Sequence, residues 1–178
     1  MLPKPRPVEI VYADPPWKFN SNSLAKPGRN PMRHYQCMTD MQIQAIPVER
    51  WLASDALLFM WTTAPMLERS MCIPAAWGFP KYITHFIWPK SKVATGFWIR
   101  NRHELLLIYK RGRFPRPDNK APFADSVIDG PTREHSRKPD QVADEIARIW
   151  PDAIKLEMFA RTRRPGWQSH GNETGKFS

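Results

Sequence analysis

A continuous apolar run of strand length, Ala56-Leu57-Leu58-Phe59-Met60-Trp61, constrains this chain more than any other feature. A strand with one wet face alternates apolar and polar residues. An unbroken run has no wet face and must be covered on both sides, as in the middle of a parallel sheet. Residues 8–13 read as a first strand, stopped by Pro15-Pro16 because proline has no N–H to continue a ladder. Residues 82–88, 104–109 and 154–159 read as further strands, the last of these closing the fold. Thr39 reads as the N-cap of a helix running to Leu52 and kinked at Pro47. A second helix, 66–77, is disturbed by Pro74 and stopped by Gly78, and a third starts at Pro139 and runs to about Ile149. Met38, Met41, Met60 and Met66 are expected in the core. Strands alternating with helices predict an α/β fold, a mainly parallel sheet flanked by helices. Residues 20–31, 90–102, 113–124 and the tail after Arg161 read as loop.

Composition narrows the class. The 178 residues suit one domain, 1–178, and no apolar run approaches the roughly 18–20 residues of a membrane span. The N-terminus lacks the apolar stretch of a signal peptide, so a soluble, cytoplasmic protein is expected. Cys37 and Cys72 stand at no metal-ligand spacing, so neither a disulfide framework nor a metal site is expected. The net charge is +10, which points to a polyanionic partner, nucleic acid first. Basic residues cluster at 100–116 and at Arg161, Arg163 and Arg164, with Phe97, Trp98, Tyr109, Phe114, Phe159 and Trp167 among them. That mixture suits phosphate contacts combined with base stacking.

Asp14-Pro15-Pro16-Trp17 follows the first strand directly. In open α/β sheets ligands bind beyond the carboxyl ends of strands, so position and motif agree. Asp14 offers a carboxylate acceptor, the proline pair offers carbonyl oxygens on a fixed backbone, and Trp17 offers a flat apolar wall. A planar ring with an exocyclic amino group fits that set. Holding the amino nitrogen in line with an electrophile favours attack. The competing reading is a turn beside a core tryptophan.

The hexapeptide Tyr12-Ala13-Asp14-Pro15-Pro16-Trp17 resembles the signature of the amino-methyltransferases that act on N6 of adenine. Tyr35-Gln36-Cys37-Met38-Thr39, Ile46-Pro47-Val48, Leu58-Phe59-Met60-Trp61-Thr62-Thr63 and Trp77-Gly78-Phe79 resemble the MT-A family, that of the catalytic subunit of the eukaryotic mRNA adenine methyltransferase. So do Ile87-Trp88-Pro89-Lys90, Gly96-Phe97-Trp98, Glu104-Leu105-Leu106, Ser136-Arg137-Lys138-Pro139-Asp140, Glu157-Met158-Phe159-Ala160-Arg161, Gly166-Trp167 and Gly171-Asn172-Glu173. The motifs run in family order over roughly residues 8–173.

The resemblance implies a Rossmann-like methyltransferase using S-adenosylmethionine. Asp14, Pro15, Pro16 and Trp17 are then the catalytic set that holds the adenine, with Asp14 also near the cofactor's amino group. Lys138 matches the lysine that meets the cofactor carboxylate. Arg161, Arg163, Asn172 and Glu173 match the segment around its ribose and adenine, and Glu157 is expected to order the arginine loop. Tyr35 matches a residue beside the target pocket, and Lys90, Trp98 and Arg100 are expected on the substrate side. Longer relatives supply a cofactor-adenine contact from upstream; here it is expected either from elsewhere, with Asp125-Ser126 as the candidates, or to be absent. His103 and His135 read as polar loop residues rather than bases, and Lys138 and Arg161, taken without the resemblance, as solvated cations. DNA is the preferred substrate and RNA the alternative. A catalytically silent nucleic-acid-binding subunit and a cytosine-N4 enzyme are the other readings, and a homodimer is left open.

Overall fold

The computed structural model describes residues 6–18, 37–91, 93, 98–118, 123, 125–133 and 137–171. The sheet has six strands: β1 (Val8–Ala13), β2 (Leu52–Thr63), β3 (Lys81–Pro89), β4 (His103–Arg111), β5 (Lys155–Met158) and β6 (Trp167–His170). Their order is β3-β4-β2-β1-β5-β6. β2, β1, β5 and β6 are mutually parallel, and β4 runs antiparallel to both its neighbours. The sheet is therefore mainly parallel, with β4 as the reversed strand.

The apolar run lies in β2, at the sheet's centre, and its residues alternate between two cores. Ala56, Leu58 and Met60 enter one, while Leu57, Phe59 and Trp61 enter the other. β1 divides the same way, with Val11 and Ala13 on one face and Ile10 and Tyr12 on the opposite face. The first face is covered by α1 (Asp40–Gln44), α2 (Leu67–Ser70) and α3 (Cys72–Ala76), through Ile43, Ile73 and Trp77. The second is covered by α4 (Asp140–Ile149), through Val142 and Ile146. A side chain of this size contributes about 1.5–3 kcal/mol when fully buried, so two-sided burial is what stabilises the run.

Proline shortens the helices more than the sequence predicts. Thr39 does cap α1, in a capping box with Gln42, but α1 ends at Gln44. A separate 3₁₀ turn, Val48–Trp51, follows Pro47, and β2 already begins at Leu52. The predicted 66–77 helix is likewise two pieces, α2 and α3, with Pro74 tolerated in the first turn of α3, where no intrahelical donor is missing. Gly78 stops it at φ +86, as expected of a left-handed C-terminal residue. Met41 is not core: it is 81% exposed, on the outer face of α1. The tail after Arg161 is not all loop either. Trp167–His170 adds β6 beside β5, which is therefore not the last strand and spans Lys155–Met158 alone.

Trp17 is 4% exposed and belongs to the first core. Its indole Nε1 donates to the Trp61 carbonyl at 3.4 Å. It is a floor under the motif rather than an open wall. The expected consequence of Trp17→Ala is a loss of about 3–5 kcal/mol of stability from a core cavity. Urea denaturation checks this; an unchanged midpoint contradicts the placement.

Candidate active site

Covering both faces of a sheet leaves its ends for charge. Asp14 follows the last residue of β1. Because β4 is reversed, its second residue, Glu104, pairs with Thr63 at the end of β2 and comes to the same edge. Lys90 lies one residue past β3, Lys138 two residues before α4, and Arg161 three residues past β5. Five charged side chains from distant parts of the chain thus meet at the carboxyl ends of the parallel strands.

Lys138 Nζ lies 2.8 Å from each oxygen of Asp14 and 3.3 Å from Glu104 Oε2. Arg161 Nη2 donates to Asp14 Oδ2 at 3.3 Å. Lys90 Nζ closes the chain on Glu104 Oε1. The ammonium groups also rest over indoles, Lys90 4.7 Å from the Trp88 ring and Lys138 5.7 Å from the Trp61 ring. Glu104 is 6% exposed. Burial alone would raise its pKa, but Lys138 and Lys90 hold it below the usual carboxylate range. Burial alone would lower Lys138, yet Asp14 and Glu104 hold it above its usual value. Both groups therefore stay charged in a nearly dry place because they have each other.

A second network braces the first. Asp140, opening α4, accepts from Arg133 at 2.6 Å, Arg164 at 2.7 Å and Arg137 at 3.1 Å. Arg133 also donates to the Lys138 carbonyl, which fixes the turn carrying Lys138. Arg164 Nε donates to Glu157 Oε2 at 3.0 Å. Burial pushes the Glu157 carboxyl up, against the pull of Arg164. Burial also pushes the Tyr12 phenol up; its oxygen accepts from Trp61 Nε1 at 2.7 Å.

The turn after β5 is unusually tight. Phe159 takes φ +60, a left-handed conformation costing a bulky residue about 1–3 kcal/mol, and its ring stacks on Trp77 at 6.3 Å. A Cβ on Gly171 would lie 2.6 Å from the Ala160 nitrogen, so only glycine lets β6 end against this turn. A shallow open cleft lies over it, lined by Tyr12, Asp14, Lys138, Glu157, Phe159 and Arg161, among others.

The structure brings Asp14, Lys138 and Arg161 together and corrects other expectations. Arg163 is exposed; its neighbour Arg164 is the one that enters the cleft, tied to Glu157. Lys90, expected on the substrate side, is held by Glu104. The proline carbonyls are not free of amide partners: Pro15 O accepts from Trp17 N at 2.9 Å and Pro16 O from Met38 N at 2.8 Å. Asp125 and Ser126 lie beside β3, at the opposite sheet edge from β6, and so cannot complete a site near Gly171. His103 opens β4 rather than a loop. Trp98 and Arg100 are exposed. Tyr35, His135, Asn172 and Glu173 lie outside the described residues. The sequence offers Glu104 as a motif residue or as the structural partner of a loop arginine; here it pairs with the lysines Lys90 and Lys138, and its hub position depends on the direction of β4.

An open α/β sheet with a charged crevice at the carboxyl ends of its strands has the form of a Rossmann-like fold with a ligand-binding crevice. The MT-A70 family model matches residues 8–173. A type II methyltransferase of Mycoplasma sp, M.MunI, is 28% identical over 93% of this chain and 77% of its own length. An N(6)-adenosine-methyltransferase MT-A70-like protein of Arabidopsis thaliana is 32% identical over 92% of this chain and 23% of its own length. The human N(6)-adenosine-methyltransferase catalytic subunit METTL3 is 30% identical over 92% of this chain and 28% of its own length. The chain belongs to the MT-A70 family, and its sheet is the Rossmann-like methyltransferase fold. It spans only about a quarter of those two eukaryotic relatives. No helix among the described residues is long and apolar enough to cross a membrane.

The bracing network carries a pH signature. Burial alone would raise Asp140, but Arg133 and Arg164 bring it from 3.8 down to about 2. A depressed carboxyl stabilises the fold above its unfolded pKa, and this contribution is lost as pH falls through the folded value. Thermal stability is therefore expected to fall as pH drops from 3.8 toward about 2. Asp140→Asn is expected to flatten that acid limb in a melting series; an equally steep limb contradicts the assignment.

Proposed function

We propose that the chain transfers a methyl group from S-adenosylmethionine to N6 of adenine in DNA. The observation that carries this is Asp14 at the end of β1 with Lys138 Nζ 2.8 Å from its oxygens. Such a pair suits the zwitterionic end of an amino acid. Asp14 accepts from an ammonium, while Lys138 and Arg161 donate to a carboxylate. The donor set thus fits the cofactor, and binding exchanges ion pairs within the protein for ion pairs to the ligand.

When bound, the cofactor supplies an electrophilic methyl on a sulfonium. The protein's part is alignment. Asp14 accepts a hydrogen bond from the target amino group and turns its lone pair toward the methyl, and the rigid Pro15-Pro16 backbone fixes that direction. With the cofactor held there, transfer would form the N–C bond at the expense of the C–S bond, and Asp14 would keep the acceptor nitrogen oriented while its N6 proton leaves to solvent. Buried Trp17 and the Glu104 pair keep Asp14 and Lys138 from drifting. Asn172, Glu173 and Tyr35 are assigned to the cofactor ribose and the target pocket by their motifs alone.

The +10 charge favours a nucleic acid of either kind, and DNA is preferred on the similarity to the Mycoplasma type II methyltransferase, which covers 93% of this chain and 77% of its own length. The names of the eukaryotic relatives support adenine N6 as the acceptor and keep RNA as the second reading. Methyl-labelled S-adenosylmethionine with methylation-free DNA and RNA, followed by nucleoside chromatography, tests both. N6-methyladenine in DNA is expected; label in RNA alone, or on cytosine, contradicts the proposal. Asp14→Ala is expected to reduce turnover at least about a hundredfold with an unchanged circular dichroism spectrum. Substantial turnover in that variant sinks the site.

A further inference from the structure

Trp98 and Ile99 stand out on the surface, 99% and 75% exposed. Burying such side chains is worth about 1.5–3 kcal/mol each, so a fold that leaves two adjacent ones in water has a use for them or forfeits that gain. Their surroundings are basic. Arg100 and Arg102 are exposed beside them. Residues 90–102 contain Lys90, Lys92, Arg100 and Arg102 and no acidic residue.

The segment is rooted in the active site. Lys90 N–H donates to the Arg102 carbonyl at 2.7 Å, and Arg102 Nε donates back to the Lys90 carbonyl at 3.3 Å. Lys90 is held by Glu104, Glu104 contacts Lys138, and Lys138 sits on Asp14. Trp98 and Ile99 therefore stand on a segment whose base, clamped between Lys90 and Arg102, adjoins the ion network of Asp14.

Charge complementarity chooses the occupant. A second copy would bring the same cations and be repelled, whereas a polyanion is attracted. Phosphates satisfy the arginines but leave an indole and an isoleucine without partners. The gap between stacked base pairs satisfies both. We propose that Trp98 and Ile99 form a wedge that enters the base stack of duplex DNA beside the target adenine. This rests on nucleic acid being the substrate. A base must leave the duplex to reach Asp14, at an unstacking cost of a few kcal/mol. An apolar wedge offsets that cost, while Arg100 and Arg102 grip the flanking phosphates.

The wedge matters for duplex DNA and less for single strands, whose bases are already free. Methylation-free genomic DNA, native and heat-denatured, separates the two. For Trp98→Ala the ratio of native to denatured kcat/KM is expected to fall about tenfold relative to the unaltered protein. Relaxing closed circular DNA with a topoisomerase in the protein's presence gives a readout independent of methylation. The unaltered protein is expected to shift the linking number, and Trp98→Ala at equal occupancy to shift it much less. An unchanged rate ratio, an equal linking-number shift, or a changed solution mass in Trp98→Ala overturns the wedge, the last by making the patch a self-association surface. If the unaltered protein unwinds circular DNA yet methylates neither form, the wedge stands and the proposed reaction fails.

Discussion

A central strand buried on both faces, as β2 is through its apolar run, leaves charge to its ends, and the site follows from that. β2 buries consecutive residues in opposite cores, so no polar side chain fits along its middle. The charged groups that ligand chemistry needs are driven to the carboxyl edge, beyond Ala13 and Thr63. There they are half shielded and paired with one another, and the pairing holds Glu104 and Lys138 in their charged forms. Glu104 is the hub, since without Lys90 and Lys138 its burial would favour the neutral acid.

The reversed strand has a functional consequence. Were β4 parallel, Glu104 would lie at the far end of the sheet and Lys138 would lose one of its two carboxylates. Reversal also puts β3 back in the common direction, so that Trp88 and Lys90 reach the same edge. One antiparallel strand thus supplies both the hub of the ion network and the root of the exposed Trp98–Arg102 segment.

The parts of this arrangement legible in the sequence share a local cause. The two-faced run from Ala56 to Trp61, the Thr39 cap and the Gly78 stop are each set by a few neighbouring residues. Asp14 was legible from its place after a strand, and Lys138 from its motif. What escaped depends on distant pairing. Nothing local shows that β4 is reversed, because a strand buried on both faces reads the same in either direction. β6 carries Gln168, Ser169 and His170, which look like loop until β5 pairs with them. The choice of Arg164 over Arg163 is made by the tight turn at Phe159 and by Glu157. Trp17 was ambiguous for a chemical reason: a flat indole serves equally as a stacking wall or as core.

The central claim is that Asp14 and Lys138 together receive the amino-acid end of the cofactor. Calorimetric titration with S-adenosylmethionine and with its decarboxylated analogue, on the unaltered protein and on Lys138→Met, tests it most directly. Removing the carboxylate is expected to weaken binding to the unaltered protein about tenfold or more, and by a clearly smaller factor in Lys138→Met, where Arg161 alone remains to meet it. Equal sensitivity to the carboxylate in both proteins contradicts the account.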